Sequence, residues 1–283
     1  RFENANAGNI VSAVDMLYGV SIGYKPDYTG KTVVVIGGGN VAVDAARTAI
    51  RCNPDAVHMV YRRRQVDMTA LFEEVNSAVT EGVDIMPLAS PVKVEKDSSG
   101  FCKALVVKPQ IVGEYDAAGR PTPRDAMKDP VTIPCDVIIV AIGQDIETAP
   151  FEEFGLTTEK GAFKAGLDTA TDIPGVFVGG DCQSGPATAI KAVAAGKVAA
   201  RNIDDYLGYY HKLNCEVTAP APRANLRVQV GRVNLYERPS YIRKKDFELT
   251  ENPMTFEEAM QESCRCLRCD HFGCGAMEGG CDR

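Results

Sequence analysis

The sequence lacks any run of about 18 apolar residues, so no segment reads as a transmembrane helix and no membrane insertion is expected. It also lacks an excess of positive charge. Lys and Arg number 31 against 38 Asp and Glu, and the net charge of −7 argues against a nucleic-acid partner. No charged segment followed by a short apolar core opens the chain, so no secretory signal is read and the expected location is cytoplasmic. The chain does not begin with Met and reads as a piece of something longer. Internal repeats are absent, as is low-complexity sequence beyond one Ala-rich helix. With 45% hydrophobic and 24% charged residues, the composition is that of a soluble globular protein. Its 283 residues suffice for two domains of roughly 100–200 residues each.

Cysteine is what the chain has in quantity, at ten residues. Without a secretory signal, close cysteine spacing reads as metal binding or redox chemistry and not as a disulfide framework. Cys52, Cys102, Cys135, Cys182 and Cys215 are scattered and read as small buried apolar residues. The other five fall in the final stretch "SCRCLRCDHFGCGAMEGGCDR".

Along the chain, "GNIVSAVDMLYGV" predicts a short helix with Ile10, Val11, Val14 and Leu17 on one face. "TVVVIGGGN" is apolar on both faces, as suits a parallel strand covered on each side, and ends in three glycines. "VAVDAARTAIR" continues as a helix and "AVHMVYRRR" as a second buried strand, completing a βαβ unit. "MTALFEEVNSAVTEGV" places Leu71, Val75 and Val79 at helical spacing. Residues 83–140 read as short strands, with "EYDAAGRPTPRDAMKDP" as a hairpin or surface loop. "DVIIVAIGQ" and "GVFVGGDC" read as further buried strands, and "PATAIKAVAAGKVAARNIDDYL" as a long helix. Residues 212–252 have little periodicity and read as an extended linker lying along a partner surface. "MTFEEAMQESCRC" is a last helix, opened by a capping box of Thr255 and Glu258.

Gly37, Gly39 and Ala42 fit the G-x-G-x-x-G/A pattern of a dinucleotide-binding turn. Gly37 allows the tight turn, Gly39 lets a pyrophosphate approach the backbone, and Ala42 lets the helix pack closely. The phosphates then meet free N–H groups of Gly38, Gly39, Asn40 and Val41 at a helix N-terminus. At the end of the second strand, an Asp or Glu on the ribose hydroxyl would favour NADH. Here stand Tyr61, Arg62, Arg63 and Arg64. Arg62 and Arg63 are placed to grip a 2′-phosphate with charge-assisted bonds, which favours NADPH. A second turn, Gly179, Gly180 and Asp181, precedes the Ala-rich helix, whose N-terminus at Thr188 and Ala189 can face an electron-rich group.

"VVVIGGGNVAVDAARTA", "VYRRR", "VIIVAIGQ" and "GVFVGGDCQSGPATAIKAVAAGKVAARNI" together resemble the small (beta) subunit of NADPH-dependent glutamate synthase and the NADPH-binding flavoprotein subunits of electron-bifurcating complexes. The resemblance covers residues 8–208, with the four motifs in family order. It implies an α/β fold of two Rossmann-like three-layer domains, the NAD(P) domain inserted in the FAD domain. It implies that Gly180 and Asp181 contact FAD, that Thr188 and Ala189 lie beside the flavin ring, and that Gly143 and Gln144 mark the crossing between domains. The family's own first FAD turn has no counterpart before Gly37, so half of the FAD site is expected from elsewhere. The redox CxxC of the disulfide reductases is also missing from residues 1–208. No protein nucleophile is then needed, because the cofactors carry the chemistry.

In the tail, Cys266, Cys269, Cys274 and Cys281 offer four thiolates over sixteen residues. An iron–sulfur cluster, a closed zinc site and a disulfide pair all suit such a set. The resemblance favours a 4Fe–4S cluster, since related flavoproteins carry cysteines spaced by two and four residues. The final interval of six departs from that pattern, and Cys264 and His271 are spare candidates. The expected organisation is a connector at 1–28, an NADP(H)-binding domain at 29–148, a second FAD-domain segment at 149–211, a linker at 212–252 and a Cys-rich tail at 253–283. The expected function is hydride passage between NADPH and FAD, then single electrons to iron–sulfur centres and a partner subunit of a redox complex, or ferredoxin. The rival is a non-catalytic NADP(H)-binding module with a structural zinc tail.

Overall fold

In the computed structural model of the chain, residues 2–116, 119–143, 145–211 and 231–265 are described. They form two compact units. The first takes in residues 2–142 with 231–265, and the second residues 143–211.

The first unit is built on a parallel sheet. Strand β1 (Ile10–Ser12) runs straight into helix α1 (Ala13–Ser21). Two strand–helix crossovers follow: β2 (Thr32–Ile36), α2 (Asn40–Ile50), β3 (Ala56–Tyr61), α3 (Phe72–Glu81) and β4 (Val83–Pro87). Strands β5 (Ala89–Lys96), β6 (Cys102–Tyr115), β7 (Pro121–Asp125) and β8 (Val131–Pro134) pair antiparallel, and β9 (Val137–Val140) returns to the first sheet. The parallel order is β1-β9-β2-β3-β4, with Val33 level with both Val57 and Val137. The chain order therefore reverses at β2. In open sheets of this type a ligand binds at that reversal, beyond the carboxyl ends of the strands.

The unbroken apolar run of β2 is explained by what covers it. Val33 and Val35 pack with Ala42, Val43, Ala46 and Ala49 of α2 on one face. Val34 and Ile36 pack with Val94, Leu105, Val107 and Ile133 of the antiparallel sheet on the other. A strand buried on both sides cannot alternate apolar with polar. Each such Val contributes about 1.5–3 kcal/mol over leaving it exposed. The small residues of α2 let the helix lie close to the sheet, which brings its N-terminus up against the end of β2.

Several sequence expectations change. Ile10 and Val11 belong to a strand and not to the first helix. They pair with Ile138 and Ile139 at the edge of the parallel sheet, and the helix begins only at Ala13. Of the stripe expected on α3, Val75 is buried whereas Leu71 and Val79 are exposed, and the inner face is completed by Ser77, Ala78 and Glu81. Residues 112–125 do form a hairpin, between β6 and β7.

The second unit holds α4 (Ala149–Glu152), the two-stranded ribbon of β10 (Thr158–Glu159) and β11 (Ala162–Phe163), α5 (Asp181–Ser184) and α6 (Ala189–Tyr206). Phe151 meets Phe163 edge-on at 5.5 Å. "GVFVGG" is not a strand. Phe177 makes one bridge to Ala170, flanked by bonds from the Val178 amide to the Thr169 carbonyl and from the Thr171 amide to the Val176 carbonyl. No residue of α6 is buried, and Ile190 is 74% exposed.

Residues 231–265 dock on the first unit and are not an extended arm over their described length. Helix α7 (Ser240–Arg243) brings Arg243 against α3, and α8 (Phe256–Cys264) opens with the expected capping box. There the Glu258 N–H donates to Thr255 Oγ1 at 3.2 Å and the Thr255 N–H to Glu258 Oε2 at 2.8 Å. Glu81, wholly buried at the end of α3, receives four guanidinium bonds. Arg47 donates through Nε and Nη2 at 3.1 and 2.7 Å, Arg51 through Nη1 at 2.8 Å, and Arg243 through Nε at 2.7 Å. Arg243 also donates to Glu237, which takes the Ser77 hydroxyl at 2.7 Å. Burial alone would raise the Glu81 carboxyl; the bonds from Arg47 and Arg51 override it and bring the pKa down to about 2.

A lowered folded-state pKa gives stability that is present above the unfolded value, near 4.5, and is lost as pH falls towards 2. Glu81→Gln leaves Arg47 and Arg51 without their anion and Arg243 with Glu237 alone, and is expected to cost about 3–5 kcal/mol near neutral pH. Urea titrations of both proteins between neutral pH and pH 3 check this: the wild type should lose its advantage over the variant as the pH drops through that window.

Candidate dinucleotide site

The end of β2 is shaped by side chains that are not there. Gly37 has φ +150°, and a Cβ on it would lie 2.4 Å from the Ala141 carbonyl oxygen and 3.0 Å from the Ala42 methyl. A Cβ on Gly38 would lie 2.5 Å from the ring of Tyr61. That ring cannot swing away cheaply, because its hydroxyl donates to the Asp67 carbonyl at 2.9 Å. Gly39 is more open, its nearest obstacle being Thr69 Oγ1 at 3.4 Å. β9 and β3 thus close on the turn from both sides, and the Gly37 N–H is spent on the Val60 carbonyl at 3.1 Å.

The next amides are free. Among the described residues the N–H groups of Gly38, Gly39, Asn40 and Val41 meet no acceptor. Gly39 stands at the N-cap of α2 in extended conformation, and its carbonyl takes the Ala42 and Val43 amides at 3.0 and 3.2 Å. Asn40 and Val41 are exposed. The result is a row of amides without internal acceptors at the positive end of a helix, the arrangement that accepts phosphate. Its far wall is a loop that the sequence did not flag. The Thr69 and Ala70 amides donate to the Gly38 carbonyl at 3.1 and 3.3 Å, and the Leu71 amide to Asn40 Oδ1 at 3.0 Å. Asn40 is therefore committed through its side chain but open at its amide. No spacing rule marks this latch, because it joins two segments across 31 residues.

The three arginines beyond β3 differ. Arg64 forms a bidentate pair with Asp67 at 2.7 and 2.8 Å, which holds that carboxyl below its ordinary value. Arg63 donates Nε to the Pro121 carbonyl at 3.1 Å and lies 3.7 Å from Asp116. Arg62 is exposed and has no partner among the described residues. The register that sets Ile36 beside Val60 brings this basic end next to the glycine turn.

In the second unit Gly180 has φ +76° and caps the one-turn helix α5, which Asp181 begins. Thr188 is the extended N-cap of α6 and makes no side-chain cap bond, and the Ala189 and Ile190 amides meet no acceptor among the described residues. Asp181, Thr188 and Ala189 are exposed. Cys182 donates its thiol to the Gly179 carbonyl at 3.1 Å, consistent with a structural role. Gly143 has φ +120°, while Gln144 lies outside the described residues. So do Cys215 and the four tail cysteines Cys266, Cys269, Cys274 and Cys281; among the described residues no group of His, Cys, Asp and Glu could hold a metal ion. No helix among them is long and apolar enough to cross a membrane.

A parallel sheet with a glycine turn and free amides at its switch point defines a Rossmann-type dinucleotide-binding protein. Residues 3–196 match the pyridine nucleotide-disulphide oxidoreductase family, and the chain belongs to it. It is 33% identical over 98% of its length to the NADP(+)-dependent formate dehydrogenase subunit beta of Moorella thermoacetica, covering 41% of that protein. It is 36% identical over 64% of its length to a glutamate synthase (NADPH) small chain homologue of Cereibacter sphaeroides, covering 44% of it. It thus spans less than half of either relative. Among solved structures, FprA of Mycobacterium tuberculosis in complex with NADPH superposes with a TM-score of 0.57 over 74% of this chain and 61% of FprA, at 16% identity. That likeness is one of fold.

Gly37→Ala should destabilise the first unit by roughly 1–3 kcal/mol, since neither its φ nor the Ala141 carbonyl can yield cheaply. Gly39→Ala should change stability little. Thermal melts of the two variants side by side test the assignment; equal melting points would contradict it.

Proposed function

We propose that this chain is the NADPH-docking and flavin-facing part of a flavoprotein electron-transfer subunit within a larger redox complex. The observation that carries the reading is that, among the described residues, the amides from Gly38 to Val41 and the nearby Arg62 all lack a partner. The pyrophosphate of NADPH takes those amides. Arg62 grips the 2′-phosphate, and Arg63, braced by the Pro121 carbonyl, lends it a second positive charge. Gly37 and Gly38 let the turn close against the Ala141 carbonyl and the Tyr61 ring, and the more open Gly39 leaves the phosphate its approach. In the second unit, the turn at Gly180 and Asp181 and the free amides at the start of α6 fit part of an FAD site, with Gly143 and Gln144 at the crossing. Bound there, FAD would supply a hydride acceptor that can release electrons singly. The chain's own residues supply binding, orientation and charge, and no side chain serves as nucleophile.

The remaining FAD contacts come from a segment or subunit outside these residues. Cys266, Cys269, Cys274 and Cys281 are the proposed ligands of a 4Fe–4S cluster. The acceptor is a partner subunit, in the manner of glutamate synthase or a dehydrogenase complex, or ferredoxin. The names of the two relatives, both subunits of NADP-linked enzymes, support this reading.

Arg62→Ala should weaken NADPH binding about 10–100-fold, the loss of a charge-assisted contact of roughly 1.5–3 kcal/mol, and leave NADH binding nearly unchanged. Fluorescence titration of both nucleotides on both proteins measures it, and equal NADPH affinity would remove Arg62 from the site. For the tail, the chain purified without oxygen should contain iron and sulfide and give a reduced-state EPR signal. Stoichiometric zinc without iron would instead support a non-catalytic NADP(H)-binding module.

A further inference from the structure

Two of the cysteines that the sequence presents as scattered meet in the first unit. Cys102 opens β6, and Cys135 stands between β8 and β9. They are 6% and 3% exposed, and their sulfurs are 3.6 Å apart. Both backbones are fixed: the Cys102 N–H donates to the Gly8 carbonyl at 3.0 Å and the Cys135 N–H to the Lys103 carbonyl at 3.1 Å. The surroundings are apolar, with Val34, Val94, Leu105 and Ile138 in the same cluster. Two plain packing cysteines do not require such a meeting. The sulfurs need to close by only about 1.5 Å to reach bonding distance.

We infer that Cys102 and Cys135 form a reversible disulfide, a redox modification site that fastens the antiparallel layer to the nucleotide-binding sheet. The pair is asymmetric. A thiol hydrogen bond from Cys135 draws the Cys102 pKa down, and the same bond with burial pushes Cys135 far up. In the inferred step Cys102 attacks first, and burial admits only a small oxidant such as hydrogen peroxide. The Cys102 thiolate attacks one peroxide oxygen, the O–O bond breaks, and water leaves after protonation, giving a sulfenic acid. The Cys135 sulfur then attacks the Cys102 sulfur, the S–O bond breaks, and a second water leaves. Two thiols lose two electrons and two protons, which the peroxide takes up as two waters. A dithiol reductant reverses the bond by exchange.

The crosslink spans 33 residues and ends beside Asp136. Asp136 is bonded to the entry of β2 through its N–H to the Thr32 carbonyl at 2.9 Å and through Oδ2 from the Thr32 N–H at 2.8 Å. Oxidation therefore ties β6 to the start of the strand that carries the glycine turn.

The test is peptide mass spectrometry on the whole chain, exposed to hydrogen peroxide and then alkylated. The expected product joins the Cys102 and Cys135 peptides, two hydrogens lighter than the free pair, and disappears on treatment with dithiothreitol. The melting temperature should rise by roughly 5–10 °C on oxidation, as expected for closing a loop of this length. Cys102→Ser and Cys135→Ser should each abolish the product, while Cys52→Ser, buried elsewhere, should retain it. Full alkylation of Cys102 and Cys135 in oxidised, denatured wild-type protein would overturn the inference, as would a linkage of either residue to a tail cysteine. Because that readout uses the wild type, it holds even if a Ser variant fails to fold.

Discussion

Everything proposed for this protein depends on how closely three strands approach at the end of β2. The carbonyl of Ala141, just beyond β9, crowds the place of a Cβ on Gly37, and the Tyr61 ring of β3 crowds that of one on Gly38. Those contacts are possible only without side chains. They fix the turn and start α2 with four amides that meet no acceptor among the described residues. The switch point of the sheet would be an ordinary strand end if either glycine carried a methyl group. The apolar run of β2 and the small residues of α2 complete the arrangement: they bury both faces of a strand whose two edges are taken by β9 and β3.

Buried charge is the second organising element. Glu81 carries no solvent exposure, yet three arginines from α2 and α7 converge on it. Such a cluster is weak evidence for net stability, but it is demanding of geometry. It fastens the far end of the dinucleotide helix to α3 and to the segment that leads toward the cysteine-rich tail. Arg51 and Arg47 lie one turn apart on α2, so one carboxylate reads the position of that helix along two successive turns.

Much of this was legible in the sequence where the signal was local. Gly37, Gly39 and Ala42 announced the turn, the run from Thr32 to Ile36 announced a strand buried on both faces, and Thr255 with Glu258 announced the start of α8. What escaped was non-local. Ile10 and Val11 carry a helical pattern, but β9 offers them a parallel edge, and pairing outweighs periodicity over so short a segment. "GVFVGG" has the composition of a buried strand, and composition cannot supply the neighbours that make one. Residues 231–252 lack periodicity because their attachment is ionic, through Arg243 and Glu237, and not an apolar stripe. Among the three arginines after Tyr61 the sequence could not tell that Arg64 is taken by Asp67 and Arg63 by a carbonyl, which leaves Arg62 as the one without a partner among the described residues.

The central claim is that the amides from Gly38 to Val41 hold the pyrophosphate of NADPH. Hydrogen–deuterium exchange on the whole chain, with and without NADPH, addresses it residue by residue. The account predicts slowed exchange confined first to the segment from Gly38 to Val41 and to the neighbouring loop around Thr69. Protection elsewhere with no change at that turn, in a chain that binds NADPH, would contradict it.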